Sequence, residues 1–213
     1  LVDLHGRDVS QSIPDHIEPY DEEKLLAEAS LLTDWYLPGV SGGDVSDETI
    51  ESYLAVWRDL VRDIAGARET LVLRDFHADN LMWLPERDGV AKCGLLDYQD
   101  ALVGSRAYDL MSLLEDARRD IDPHLSVQLM NSYLQAFPDI DKPAFKAAFI
   151  VLAAQRHCKV IGIFTRLAMR DGKVDYLAHI PRVWRLLERA CRAPELATLK
   201  DWLDTNIAEN LRA

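Results

Sequence analysis

Leu73-Arg74-Asp75-Phe76-His77-Ala78-Asp79-Asn80-Leu81-Met82-Trp83-Leu84, followed after a turn by Cys93-Gly94-Leu95-Leu96-Asp97-Tyr98-Gln99-Asp100, is the stretch whose reading decides the fold. Leu71-Val72-Leu73, Leu81-Met82-Trp83-Leu84 and Cys93-Gly94-Leu95-Leu96 are short apolar runs punctuated by turn residues, chiefly Pro85-Glu86-Arg87-Asp88-Gly89. They read as short strands, the last two forming a hairpin. Asp88-Gly89 suits a two-residue hairpin turn. That turn places Asn80 opposite Asp97, and directly opposed residues have Cβ atoms roughly 4.5–5.5 Å apart. An amide oxygen and a carboxylate would then converge at one end of the hairpin. Hard oxygen donors suit Mg²⁺, which takes one or two protein carboxylates and fills its shell with phosphate oxygens and water. Asp75, on the loop entering the hairpin, can aim a further oxygen group at a substrate hydroxyl.

On both sides of this insert the texture is helical. Leu25, Leu26, Ala29, Leu32, Trp35 and Tyr36 recur at helical spacing from Asp21 onward, and Pro38-Gly39 is expected to stop the run before a Gly-rich loop over 39–45. Ser46-Asp47-Glu48-Thr49 can cap a second helix running to about Ala65. After Ala107 the periodicity predicts helices over 107–118, 123–136, 141–169, 177–192 and 195–211. Residues 1–20 mix Gly, Pro, Ser and charges and read as an irregular lead-in. The expected fold class is α+β and mostly α, with a small β-hairpin insert carrying the polar residues.

Composition narrows the function classes. The chain has 213 residues, 48% hydrophobic and 28% charged, which suits one large domain or two small ones and argues against disorder. Lys and Arg number 24 against 36 Asp and Glu, a net charge of −12 that argues against a nucleic-acid partner. No uninterrupted apolar run looks long enough to cross a bilayer, so no membrane association is expected. The three cysteines, Cys93, Cys158 and Cys191, form no CxxC pair and imply reduced thiols in the cytoplasm. His157 and Cys158 are adjacent, and helical neighbours point different ways, so they make no metal site.

Asp-x-x-x-x-Asn followed by a second Asp matches the protein-kinase pattern H-R-D-L-x-x-x-N and D-F-G, with Leu73 where that pattern has His. The closer resemblance is to the aminoglycoside phosphotransferase and choline kinase-like family, whose loop reads H-G-D-x-H-x-x-N and whose later motif reads I-D-F/W-x-D/E. Within it, Arg74 to Met82 with Asp97-Tyr98-Gln99-Asp100-Ala101 looks most like bacterial N-acetylmuramate/N-acetylglucosamine kinases of cell-wall sugar recycling. The resemblance implies a phosphotransferase with ATP and Mg²⁺ as cofactors and a small-molecule hydroxyl as acceptor, the anomeric one of an N-acetylated amino sugar. Asp75 would be the catalytic Asp, and Asn80 and Asp97 the Mg²⁺ ligands. Arg74, His77 and Asp109 would support the loop, Asp109 by opening a helix and hydrogen-bonding to it. Asp79 and Asp100 would be candidate substrate contacts.

The resemblance also implies that residues 1–213 form the C-terminal catalytic lobe of the protein-kinase-like fold, with 1–20 leading in from an N-terminal ATP-binding lobe. Neither a G-x-G-x-x-G loop nor a V-A-x-K strand occurs in the sequence. The remaining ATP contacts are therefore expected in that other lobe, and this stretch alone is expected to be inactive.

Each residue has a plainer reading. A lone Asp-x-x-x-x-Asn is common, Asp109 can be only a helix cap, and His77 reads as a structural brace more readily than as a base. Trp57 and Trp83 lie in apolar patterns and read as core. Arg156 and Lys159 share a helix face; they would meet an anionic sugar such as muramate or make ordinary surface ion pairs. Two alternatives stand beside the amino-sugar kinase: an aminoglycoside, choline or homoserine kinase, and a pseudokinase-like binding module.

Overall fold

In a computed structural model, which describes residues 1–212, helices α1 (Val2–His5), α2 (Val9–Ser12), α3 (Glu22–Ala29), α4 (Leu37–Ser41) and α5 (Asp47–Val61) precede four strands. These are β1 (Thr70–Val72), β2 (Leu81–Trp83), β3 (Cys93–Leu95) and β4 (Leu102–Gly104). Helices α6 (Ala107–Leu114), α7 (Pro123–Ala136), α8 (Lys142–Asp171), α9 (Ile180–Ala190) and α10 (Ala197–Asn206) complete the chain. The fold is mostly helical, with two small antiparallel sheets, β1–β4 and β2–β3. The chain divides into two units: Leu1–Asp21 with Gly66–Phe149, and Glu22–Ala65 with the chain from Ile150 onward.

The first unit holds the hairpin. Its core gathers Val72, Leu73 and Phe76 from the catalytic-loop region, Leu102 and Val103 from β4, Tyr108, Leu110 and Met111 from α6, and Tyr133 and Leu134 from α7. Residues 1–20 are more ordered than their composition predicts. Asp8 caps α2 by accepting from Ser10 N–H, and the chain then runs beside β4, with Tyr20 N–H donating to Val103 O at 2.7 Å and Val103 N–H to Glu18 O at 2.9 Å. Strand β4 is thus hydrogen-bonded on both edges, to β1 through Leu71↔Val103 and to the 18–20 segment. Gly104 permits this close approach, since a Cβ there would lie 3.1 Å from Val72 Cγ2 and 3.2 Å from Tyr20 Cβ.

The hairpin register differs from the one the sequence predicts. Leu81 faces Leu95, Met82 faces Gly94 and Trp83 faces Cys93, so Asn80 stands opposite Leu96, whose N–H donates to Asn80 O at 2.9 Å. The physical reason is the turn. Asp88-Gly89 does not close a two-residue loop; Gly89, with φ 55°, opens a 3₁₀ turn over Gly89–Lys92, and Leu84 N–H bonds Lys92 O. The wider loop shifts the pairing by one residue. Trp83 is also not core: it is 70% exposed, with Lys92 Nζ 5.9 Å from its ring centroid. Met82, Val90, Leu96 and Tyr98 are exposed too, so both faces of the hairpin meet solvent.

In the second unit Ser46 caps α5, its Oγ accepting from Thr49 N–H at 3.2 Å, as the sequence predicts. Trp57 is fully buried there, as are Leu25, Ala29, Leu32 and Tyr53, whose ring meets that of Trp57 edge-on. Ile180, Val183, Trp184 and Leu187 make the buried stripe of α9 at helical spacing. Gly162 lets α8 meet the backbone of Leu31; any Cβ there would collide with the Leu31 carbonyl. Pro38 does not stop its helix. A π-type turn over Leu32–Tyr36 precedes it, Pro38 then sits in the first turn of α4, and Gly42, with φ 72°, ends the helix. Leu37 N–H still donates to Leu32 O across the π-type turn, so the helical run continues through Pro38.

By length and composition alone α8 passes for a membrane span, contrary to the sequence reading; 72% of its most apolar window is buried within the chain, as in the core helix of a globular fold.

Candidate active site

Asp75 lies on the turn after β1, half-buried, in a loop whose backbone is tightly bonded. Its N–H donates to Leu73 O at 2.8 Å and its carbonyl accepts from His77 N–H at 3.1 Å. The same carbonyl accepts from Asn80 Nδ2 at 2.9 Å. The last bond holds the Asn80 amide by its Nδ2 end. Asp75 and Asn80 are therefore brought together as the sequence predicts, whereas the predicted pairing of Asn80 with Asp97 is replaced by Asn80 opposite Leu96.

His77 is buried, and its Nε2 lies 3.4 Å from Asn80 Nδ2 and 3.5 Å from Arg118 Nη1. Both neighbours are donors, so Nε2 acts as the acceptor and the ring proton sits on Nδ1. A histidine in this state braces the loop. Arg118 follows α6, and the next residue, Arg119, forms an exposed ion pair with Asp79.

Arg74 adopts a left-handed backbone, φ 68°, which costs a non-glycine residue free energy unless its surroundings hold it. Helix α6 holds it. Asp109 accepts from Leu73 N–H at 2.7 Å and from Arg74 N–H at 3.0 Å, one on each carboxylate oxygen. Ser112 Oγ donates to Arg74 O at 3.4 Å. The Arg74 side chain turns to Asp100 O at 3.2 Å and lies 5.9 Å from the Tyr20 ring centroid. Asp109 is not the α6 N-cap, since Arg106 occupies that position; its fully buried carboxylate serves the loop.

Behind Asp109 sits His5, also fully buried, with Nε2 3.8 Å from Asp109 Oδ2 and Nδ1 2.7 Å from Tyr133 Oη. Burial raises the Tyr133 phenol well above its usual range, so it stays protonated.

Asp97 is placed differently. It has φ 56° and is exposed, directly after the residue whose N–H bonds Asn80 O. Gln99 Nε2 donates to its Oδ1 at 2.7 Å. Asp100 is exposed as well. Asn80 Oδ1 and the Asp97 carboxylate are oxygen donors of the kind Mg²⁺ takes, and two protein oxygens beside phosphate oxygens suffice for it. Among the described residues there is no cluster of three or more His, Cys, Asp and Glu that would hold a metal by itself.

Arg156 and Lys159 lie in the second unit, on α8, and both are buried. Lys159 Nζ is 2.7 Å from Glu28 Oε1, and Gln155 Nε2 donates to Glu28 Oε2 at 3.2 Å. The pair is internal, not on the surface: its two side chains are 11% and 12% exposed.

The sequence reading had no place for His5, Tyr133, Ser112, Arg118 or Arg119. Adjacent arginines at the end of the predicted 107–118 helix are a usable signal for the last two. Nothing local marks the others, since His5 and Tyr133 are 128 positions apart.

Comparison with known proteins agrees with this picture. The family model described as Phosphotransferase enzyme family matches residues 1–146, more than half of the chain. A Caulobacter vibrioides protein named N-acetylmuramate/N-acetylglucosamine kinase is 36% identical over 193 residues, covering 91% of this chain and 53% of that protein. Its namesake in Pseudomonas aeruginosa is 38% identical over 210 residues, 95% of this chain and 60% of its own length. One in Neisseria meningitidis is 34% identical over 206 residues, 93% of this chain and 59% of its own. The chain thus spans between half and three fifths of the length of these relatives.

Proposed function

Because this chain belongs to the phosphotransferase enzyme family, we propose that it is the C-terminal catalytic lobe of an ATP-dependent kinase that phosphorylates a hydroxyl of a cell-wall amino sugar. N-acetylmuramate and N-acetylglucosamine are the acceptors named for the relatives. The observation that carries the reading is the loop itself: Asp75 beside Asn80, on a backbone clamped by Asp109, with Asp97 at the adjoining hairpin end.

In this reading Asp75 accepts a hydrogen bond from the acceptor hydroxyl and takes its proton as the new O–P bond forms and the bond to the ADP oxygen breaks. Asn80 Oδ1 and the Asp97 carboxylate would hold Mg²⁺. When bound, that ion supplies charge neutralisation to the ATP phosphates. Arg74, His77 and Asp109 keep Asp75 in line, and positioning of this kind carries most of the rate in phosphoryl transfer. Asp79 and Asp100 remain candidate acceptor contacts, as do Arg156 and Lys159, although Asp79 is engaged by Arg119 and Lys159 by Glu28. The exposed Met82, Trp83 and Leu96 side chains are a surface that a nucleotide base and an N-terminal ATP-binding lobe would cover. The reduced thiols suit a cytoplasmic protein.

The test is a Mg·ATP phosphotransfer assay on the full-length polypeptide that carries this chain, with N-acetylmuramate, N-acetylglucosamine, kanamycin, choline and homoserine as acceptors. Turnover of the amino sugars alone is expected. Turnover of only a cationic acceptor overturns the sugar assignment, and Mg·ATP binding with no turnover of any acceptor overturns the enzyme reading in favour of a binding module.

A further inference from the structure

Among the buried titratable groups that the proposed mechanism leaves unused, one faces the carboxylate that clamps the Asp75 loop. His5 is fully buried on α1, far in sequence from every residue of the candidate site. Its two ring nitrogens meet different elements: Nδ1 lies 2.7 Å from Tyr133 Oη on α7, and Nε2 lies 3.8 Å from Asp109 Oδ2 on α6. The second distance is too long for a hydrogen bond and within ion-pair reach. Tyr133 Oη is also 3.5 Å from Arg106 O, which gives its proton a second destination.

The proton count follows from these neighbours. If the imidazole is neutral, Tyr133 donates to Nδ1 and the ring proton sits on Nε2, facing the carboxylate. If the imidazole is charged, Nδ1–H donates to Tyr133 Oη, which donates onward to Arg106 O, and Nε2 again presents N–H to Asp109. The remaining neutral tautomer would turn a nitrogen lone pair toward a buried carboxylate oxygen, which is repulsive. Either favourable arrangement places a positive ring edge against the Oδ2 atom that accepts from Leu73 N–H. A carboxylate with no exposure needs such compensation to stay ionised.

We infer that His5 is a positioning residue: locked by Tyr133, it steadies the Asp109 carboxylate, and through it the Leu73–Arg74 backbone that aims Asp75. The inference rests on the reading of Asp75 as the proton acceptor. It assigns His5 no contact with substrate. The left-handed Arg74 is the element most sensitive to it, because two backbone N–H groups there converge on the carboxylate that His5 faces.

Gln and Asn separate the two edges of the ring. In His5→Gln the side-chain amide reaches the place of Nε2 and keeps a donor toward Asp109. In His5→Asn it reaches only the place of Nδ1 and keeps the partner of Tyr133. Two readouts apply to the full-length protein: steady-state kinetics, and hydrogen exchange of the Leu73 and Arg74 amides, which needs no turnover. His5→Asn is expected to lower kcat about tenfold or more with KM for ATP and sugar nearly unchanged, and to speed exchange at both amides about tenfold. His5→Gln is expected to recover most of both. Tyr133→Phe, which unlocks the ring from the other side, is expected to speed the same two amides by a smaller factor and decides the matter if His5→Asn does not fold. Equal behaviour of the Gln and Asn variants, or unchanged exchange at Leu73 and Arg74, overturns the inference. If the wild-type protein phosphorylates no amino sugar, the proposed function falls and the exchange data still decide the role of His5.

Discussion

The loop at Arg74 and the turn at Asp97 each contain a non-glycine residue in the left-handed region, with φ 68° and 56°, and they are built in opposite ways. Arg74 is gripped through its own N–H and carbonyl by Asp109 and Ser112, with His5 and Tyr133 buried behind them. Asp97 lies in the open, with Gln99 on one carboxylate oxygen. The first conformation is imposed by the core. The second is set within a short exposed turn. In the proposed reading this suits a division of labour in which the loop of the proton acceptor is held rigidly and the Mg²⁺ ligand can adjust as the ion and nucleotide arrive.

The largest expected effect breaks the chemistry of the braced loop alone. Asp75→Ala is expected to lower kcat about a thousandfold while leaving Mg·ATP affinity nearly unchanged, whereas Asp97→Ala weakens Mg²⁺-dependent ATP binding. Kinetics paired with calorimetric ATP titration distinguishes the two; equal loss of ATP binding in both variants would erase the proposed division.

A smaller effect measures how open the hairpin is. Cys93 is exposed on β3, while burial raises Cys158 to about 12 and Cys191 to about 11. The thiolate is the reactive form, so near pH 8 iodoacetamide should modify Cys93 more than about a hundredfold faster than the other two, as read by peptide mass spectrometry. Comparable rates at Cys93 and Cys158 would mean that the hairpin is as protected as the core.

A pair of stability effects, one comparable to this and one near zero, compares the two clamps directly. Asn in place of Asp109 offers one acceptor where two backbone N–H groups each need one, so Asp109→Asn should cost about 2–4 kcal/mol of stability in urea denaturation. Gln99→Ala removes an exposed contact and should change stability by less than about 0.5 kcal/mol. A Gln99→Ala loss equal to that of Asp109→Asn would show that the hairpin end is part of the core after all.

Much of this was legible in residue order. Helix α7 falls on the predicted 123–136, and α5 starts at its Ser46 cap, because caps and apolar periodicity are local properties. The loop that carries Asp75 and Asn80 was legible from motif spacing, and the bonds of Asp109 to that loop were implied by the family resemblance. The hairpin register was not. Asp88-Gly89 carries the composition of a two-residue turn, yet the chain makes a wider 3₁₀ loop and the pairing slips by one. Pro38 misled for a similar reason, since a π-type turn before it carries the helical run past the proline to Gly42. The exposure of Trp83 could not be read either, because the sequence shows that a residue is apolar and not whether anything covers it.

By itself the sequence determined the kinds of group available and their short-range order: two carboxylates and an amide at the spacing of a phosphotransferase loop, set among helices that cap and stop by local rules. Tertiary structure alone decided what holds those groups. The His5–Tyr133 contact spans 128 positions, Asp109 reaches back 36 residues to Leu73, and Glu28 meets Lys159 across 131. Such contacts form only when distant elements pack, because a buried charge must find compensation wherever the fold delivers it, and no local pattern in the chain records where that will be.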